Sequence, residues 1–316
     1  MRVAVGICTL NRPEGLDRAL AGLMRQCLAD ARGPEVSVIV VDNSAEGRAA
    51  DQVGSLSAAK PSASIVYVHE PRRGLANARN AALDAALSRG ADFLLFIDDD
   101  EVPESGWLAA MVAAMDDPSA VGAVSPVYPL FTAPPDGLPP DAYATVAQVQ
   151  GGRIKAGYTS SCIIRMSAVR RCGCRFDAAY NESGGEDTDF FDKLLSGGGR
   201  LAWAGDARVV ESVPVQRMSV RWLTRRWYRT GLVEAKSLIA RRPGAGGYAA
   251  ALSRGIVRVA AGLGRSAIAV VSAPGRRDAV VASLYTVCRG AGYLAGAFGA
   301  TYPEYRPRAA PSSSRP

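Results

Sequence analysis

The run Phe93-Leu94-Leu95-Phe96-Ile97 passes directly into Asp98-Asp99-Asp100-Glu101, and few folds accommodate that junction. Five consecutive apolar residues call for cover on both faces, as in a buried parallel strand. Adjacent carboxylates repel one another and call for water or a cation. A strand buried along its body and open at its carboxyl end meets both demands, and open α/β sheets bind ligands at that end. The front half repeats the pattern. Residues 2–7 read as a strand, and residues 14–28 place Leu16, Leu20, Leu23 and Cys27 at helical spacing. Residues 36–41 form a buried strand ending in Asp42-Asn43-Ser44, residues 65–68 a short third strand, and residues 75–89 a helix. Strands separated by helices predict a mostly parallel sheet flanked by helices, an α/β fold. Beyond a proline-rich loop at 129–142 come a strand at 158–166, a glycine-acid loop at 181–187, a helix at 188–195 and a strand near 200–203.

Several functions are disfavoured by composition. The chain has 316 residues, 48% apolar, enough for one large core or two domains. Its one histidine, His69, disfavours paired-histidine metal sites, and it reads as a structural residue at a strand end. The six cysteines, with no secretory pattern in the opening residues, predict thiols in a reducing cytoplasm. Cys172-Gly173-Cys174 is a poor zinc candidate without a second pair. Phosphate-loop and dinucleotide-binding glycine patterns are absent. With 7% aromatic residues and no recognised nucleic-acid motif, no nucleic-acid partner is expected.

Charge divides the chain. Residues 1–211 carry 20 basic and 27 acidic side chains; residues 212–316 carry 17 and 3. Cation-dependent chemistry in front and attraction to an anionic surface behind follow from that asymmetry. Asp98 and Asp100, alternate at a strand end, offer hard oxygen ligands to Mg²⁺ or Mn²⁺; an acidic turn or helix cap is the plainer reading. Gly184-Gly185-Glu186-Asp187 precedes a helix. There Asp187 serves as an N-cap, a general base, or both. Arg79 lies in the first turns of a helix whose amino end suits an anion, unless it is simply solvated.

Together these segments resemble the family 2 glycosyltransferases with the GT-A fold. The resemblance rests on Cys8-Thr9-Leu10-Asn11-Arg12-Pro13, Val40-Val41-Asp42-Asn43-Ser44, Gly74 to Ala81, Phe96-Ile97-Asp98-Asp99-Asp100 and Gly184 to Phe190, in order over roughly residues 1–230. The overall pattern looks like bacterial exopolysaccharide or cell-envelope transferases. It implies inverting transfer of a sugar from a nucleoside diphosphate donor, UDP favoured, to a glycan or lipid-linked acceptor. Thr9, Asn11, Arg12 and Asp42 would line the donor crevice, and Arg79 would contact the base or diphosphate. Asp98 and Asp100 would form an Asp-x-Asp motif for Mn²⁺ or Mg²⁺, with Asp98 and Asp99 also beside the donor. Asp187 would be the general base and Glu186 would position the acceptor. Many GT-A enzymes carry a histidine as a further metal ligand; Glu211 stands near that place, as a replacement ligand or a surface glutamate.

The expected domains are a catalytic unit at 1–211, divided near 127 into donor and acceptor halves, a basic helical extension at 212–305, and a disordered tail at 306–316. Arg217, Arg221, Arg225 and Arg229 recur every four residues, on a helix closing over the diphosphate or lying on headgroups. Residues 279–301 hold one charge, Arg289, near the middle, which disfavours a span. An in-plane amphipathic hairpin broken at Pro274-Gly275, peripheral at the cytoplasmic membrane face, is preferred to intramolecular packing or a homodimer contact. Nucleotidyltransfer with a carboxylate-bound metal, and a non-catalytic module binding membrane or polyanion, are the alternative functions.

Overall fold

The computed structural model describes residues 1–28, 33–133, 140–146, 149–150, 153–154, 156–272 and 277–302. The chain begins with β1 (Arg2–Thr9), α1 (Pro13–Leu28), β2 (Glu35–Asp42), α2 (Ala50–Ala59), β3 (Ser64–His69), α3 (Leu75–Ser88) and β4 (Phe93–Asp98). It continues with β5 (Glu101–Pro103), α4 (Trp107–Ala113), β6 (Ala120–Val124), β7 (Val127–Phe131) and the short β8 (Val149–Gln150) and β9 (Arg153–Ile154). Then follow β10 (Ser161–Arg165), α5 (Met166–Cys172), α6 (Glu186–Ser196), β11 (Arg200–Trp203) and β12 (Val209–Val213). Three long helices close the described chain: α7 (Val220–Arg241), α8 (Ala245–Ser272) and α9 (Arg277–Ala297).

Seven strands form the main sheet in the order β11-β6-β10-β4-β1-β2-β3. All its pairings are parallel except those of β10, which runs antiparallel to both β4 and β6. Side-chain alternation divides the central strands between two cores. Val3, Val5 and Ile7 join Leu95 and Ile97 under α1, α2 and α4, while Ala4, Ile39, Val41, Leu94 and Phe96 pack under α3, α5 and α6. Both-face burial explains why these strands read as continuous apolar runs. The register sets Thr9 beside Asp42 and Cys8 beside Asp98, so the carboxyl ends share one edge of the sheet. A second sheet, β5-β12-β7, stands next to it and aligns Glu211 with Glu101. The proline-rich segment begins inside β7, and residues 134–139 lie outside the described residues.

Two expectations are revised. Cys172 and Cys174 are joined as a disulfide at the end of α5, whereas Cys8, Cys162 and Cys288 are free. The glycine- and alanine-rich stretch after residue 279 packs against its own chain: α9 lies against both α7 and α8. A Cβ on Gly231 would stand 2.0 Å from the Arg289 carbonyl oxygen, and one on Gly292 the same distance from that of Tyr228. Small residues thus bring two backbones together. Arg289 is buried and hydrogen-bonded to Glu234 of α7, so a charge that reads as costly in a bilayer is paired inside a helix bundle. Among the described residues no helix is long and apolar enough to cross a membrane. The break expected at Pro274-Gly275 and the tail at 306–316 fall outside the described residues.

Because the α7–α9 contact has no room for a methyl group, Gly292→Ala should destabilise the protein by about 1–3 kcal/mol, measured by urea denaturation, with the sheet's circular dichroism retained below the transition.

Candidate active site

Four backbone-coupled carboxyls follow the end of β4, and the fold divides them into alternate uses. Asp99 is buried; its carboxylate accepts from Thr9 Oγ1 and Arg12 Nη1, both at 2.8 Å. Glu101 is buried too, and its Oε2 accepts the Asp98 backbone N–H at 2.9 Å, closing the turn. Burial pushes the Glu101 carboxyl well above its ordinary value. Asp98 and Asp100 keep more exposed side chains at a cleft of about 780 Å³ at the carboxyl edge of the sheet, which Asp99 and Glu101 also border. The Asp98 side chain is 40% exposed into the cleft and walled by protein elsewhere. Its carboxyl is pushed up to about 7, first by burial, with Asp100, Asp99 and Glu211 adding to it against the pull of Arg79.

Glu211 reaches the same cleft because β12 pairs with β5 and the Ser212 N–H donates to the Asp100 carbonyl at 2.9 Å. Arg217 Nη1 lies 3.2 Å from Glu211 Oε1 and 3.8 Å from Asp100 Oδ2, while Arg12 Nη1 donates to Asp100 at 3.1 Å. Burial, then Asp100, raises the Glu211 carboxyl although Arg226 and Arg217 pull it down. Asp98, Asp100 and Glu211 offer only hard oxygen donors, which suits Mg²⁺ or Mn²⁺. Among the described residues no three acidic, cysteine or histidine groups form a ready cage. Such ions ordinarily take only one or two carboxylates and complete their shell with water and substrate phosphates, so the donor set fits.

Arg79 lies beneath the cleft and does not line it. It is 5% exposed, hydrogen-bonded to Glu186 Oε1, and 3.7 Å from Asp98 Oδ1. Burial alone would lower its pKa; Glu186 and Asp98 more than reverse that and keep it charged. In this position it links the end of β4 to the start of α6. Glu186 is likewise turned inward; burial raises its carboxyl and Arg79 pulls it back. Its Oε2 is buried with no hydrogen-bond partner among the described residues. Asp187, the next residue, is part-exposed but does not line the cleft, and its Oδ1 accepts from the Thr188 N–H at 2.7 Å.

Two other expected donor residues are not cleft walls. Asp42 is buried, and its oxygens accept from the Ser44 and Ala49 N–H groups and from Tyr67 Oη. The carboxylate is spent on the turn after β2, which presents Asn43 to the cleft instead. Burial would push the Asp42 carboxyl up, but the Ala49 and Ser44 N–H groups hold it below its ordinary value. Asn11 is exposed at a φ of 55°, while its neighbours Leu10 and Arg12 line the cleft. Asn43, Asn181, Trp222 and Arg226 are lining residues that the sequence reading missed. Asn181 accepts the Ala76 N–H at the head of α3 and fills the space a Cβ on Gly74 would need. Only a three-dimensional view joins positions 74 and 181. Arg217, in the turn before α7, and Arg226 and Arg229 on α7 are the cleft residues, whereas Arg221 and Arg225 face solvent. His69 binds the Ser44 carbonyl at 2.9 Å from the end of β3, a structural role.

The sheet order and the cleft at its carboxyl edge define an α/β protein that takes its ligand at the strand ends. Residues 4–172 match the family described as glycosyl transferase family 2. The chain is 35% identical over 249 residues to the succinoglycan biosynthesis protein ExoM of Rhizobium meliloti, covering 77% of each. It is 29% identical over 298 residues to the pre-mycofactocin glycosyltransferase of Mycobacterium tuberculosis, covering 88% of this chain but 57% of that one. The chain belongs to glycosyltransferase family 2 and is a glycosyltransferase. The mannosyltransferase PcManGT from Pyrobaculum calidifontis, solved with GDP-Man and Mn²⁺, has a TM-score of 0.59 at 19% identity over 92% of this chain and 86% of that one. S. aureus TarS in complex with UDP-GlcNAc has 0.51 at 17% identity, over 76% and 67%. At these identities the fold is what is shared, and it is GT-A-like.

Removing one half of the buried pair leaves the other uncompensated. Arg79→Met should cost about 3–5 kcal/mol, and Arg79→Met with Glu186→Met should recover much of that in chemical denaturation. The depressed Asp42 carboxyl contributes stability above its ordinary pKa of about 4, lost as pH falls through the folded value. Asp42→Asn should therefore cost about 1–3 kcal/mol at pH 7, and its stability gap to the wild type should shrink in denaturation series below about pH 4.

Proposed function

We propose that the chain transfers a sugar, with inversion at the anomeric carbon, from a nucleoside diphosphate sugar to a hydroxyl of a glycan or lipid-linked acceptor. The observation that carries this reading is a single cleft in which Asp98, Asp100 and Glu211 face Arg217, Arg226 and Arg229, with Glu186-Asp187 tied to Asp98 through Arg79. The name of the R. meliloti relative supports a place in bacterial polysaccharide or cell-envelope biosynthesis. A UDP-sugar is the favoured donor; the two structural neighbours hold donors of different bases, GDP-Man and UDP-GlcNAc.

In this reading Asp98 and Asp100, with Glu211, would hold Mn²⁺ or Mg²⁺, which when bound supplies positive charge to the departing diphosphate. Arg226 and Arg229 add guanidinium donors for the same phosphates. Asn43, with Leu10 and Ala78, lines the part of the cleft that would receive the nucleoside. Thr9 and Arg12 act through Asp99, holding the acidic turn in shape. Asp187 commits Oδ1 to Thr188, which leaves Oδ2 to take the proton of the attacking hydroxyl. The new C–O bond forms as the bond to the diphosphate oxygen breaks on the opposite face of the sugar.

The basic extension would hold the enzyme at the cytoplasmic membrane face, where such acceptors are presented. Ile256, Val257, Leu263 and Ile268 are exposed along α8, with Arg254, Arg258 and Arg265 along one edge of that strip, an arrangement suited to headgroups. A dimer contact would use the same strip, and co-sedimentation with vesicles distinguishes the two.

Thermal stabilisation by UDP, GDP and dTDP, each with and without Mn²⁺, tests the donor site. One nucleotide should give a Mn²⁺-dependent shift that disappears in Asp100→Ala. Asp187→Asn should keep the shift and lose roughly 10²–10⁴-fold in nucleotide release with a membrane extract as acceptor. An unchanged rate in Asp187→Asn would remove the assigned base.

A further inference from the structure

A second cavity, of about 930 Å³, lies between the first turn of α6 and the α7–α9 bundle. Arg226, Arg241, Arg254, Arg258 and Arg289 line it, against Asp141 and Glu234. Part of that charge is already matched: Arg289 is hydrogen-bonded to Glu234, and Arg241 to Asp192. Arg258 has only a distant share in Glu234, at 3.9 Å, and stacks over the Tyr293 ring at 4.9 Å. Arg254 is exposed and makes no ion pair among the described residues. The chamber therefore keeps positive charge on its α8 wall. Guanidinium forks of this kind match phosphate oxygens bidentately.

Its position is as informative as its charge. Thr188, whose N–H is bonded to Asp187, lines this chamber. Thr145 and Arg226 line both cavities, and Arg226 Nη2 lies 3.3 Å from Thr145 Oγ1. One side-chain contact thus stands where the chambers meet. On the other side, Arg254 and Arg258 border the exposed Ile256, Val257, Leu263 and Ile268 of α8. A ligand with an anionic head and an apolar tail would meet arginine and hydrocarbon surface together.

Resting on the reading of Asp187 as base, we infer that this chamber binds the diphosphate head of a lipid-linked acceptor. Arg254 and Arg258 hold the diphosphate, the lipid lies along α8, and the glycan hydroxyl is directed toward Asp187. The site is separate from the donor cleft, so donor and acceptor diphosphates do not compete.

Calorimetric titration of the full chain with geranyl diphosphate tests this, with the donor cleft occupied by Mn²⁺ and whichever nucleoside diphosphate stabilises the protein. The wild type should bind the probe, Arg254→Gln should bind about ten-fold more weakly, and the nucleotide shift should be unchanged. Arg254 is exposed, so this variant should fold; Arg254→Gln with Arg258→Gln should weaken binding further. Geraniol should bind far more weakly, and inorganic pyrophosphate more weakly than the prenyl compound. Equal binding of geraniol would overturn the phosphate assignment, and equal binding of pyrophosphate the lipid assignment. Displacement of the probe by nucleotide, with no effect of Arg254→Gln, would place it in the donor cleft and overturn the separate site. Arg254-dependent binding in a protein that responds to no nucleotide would support the chamber while overturning the donor reading.

Discussion

The guanidinium of Arg79 carries its charge where almost no water reaches it, and much of the site's geometry follows from that. A buried charge without a partner costs several kcal/mol, so α3 can pack on the sheet only if another element brings a carboxylate. That element is α6, through Glu186, and the same guanidinium stands 3.7 Å from Asp98 at the end of β4. Three segments far apart in the chain are thereby held in one register. A buried ion pair of this kind is a weak source of net stability and a strong constraint on arrangement. Its use here is to fix the residue after Glu186, Asp187, relative to the acidic end of β4.

The acidic turn shows the same economy. Four consecutive carboxyls would be unstable if all faced one space. The turn at Asp99-Asp100 carries the Asp99 and Glu101 carboxyls into protein, where Thr9, Arg12 and the Asp98 N–H receive them. It leaves Asp98 and Asp100 with the more exposed side chains at the cleft. An Asp-x-Asp pair is thus what remains once the structural half of the run is satisfied. Arg12 works on both sides, bonding Asp99 below and Asp100 at the rim. The residue between the two aspartates is thereby a support.

Much of the fold was legible because its strands are buried on both faces. The runs at 36–41 and 93–97 can hardly be anything else, and the helix at 75–89 has no competing period. Less was legible where small residues stand in for large ones. Ala120–Val124 makes a buried strand next to the sheet edge, yet its alanines and glycine give little period, and its close approach to Ile163 is a tertiary fact. At the site, residue types were easier to read than directions. Asp42, Arg79 and Glu186 carry the expected chemistry but point into protein, because each satisfies a buried donor or charge that no local pattern reveals. Asn181 carries no local signal, since only its distant partner Gly74 brings it to the cleft.

The basic extension is where composition misleads most directly. Glycine and alanine with sparse charge read as a membrane-facing segment, yet in α9 they serve helix contacts too close for a Cβ. Such packing leaves no space for flexible cations, so Arg289 must find a fixed partner, and Glu234 supplies it. Arginine suits this task better than lysine, since a planar fork binds a carboxylate in one geometry. Of the 37 basic residues only four are lysines, and the arginines of the bundle fall into two groups for that reason. Arg241 and Arg289 are spent on carboxylates and hold the helices in place. Arg254 and Arg258, carried on α8 by the same rigid packing, keep their charge for a ligand.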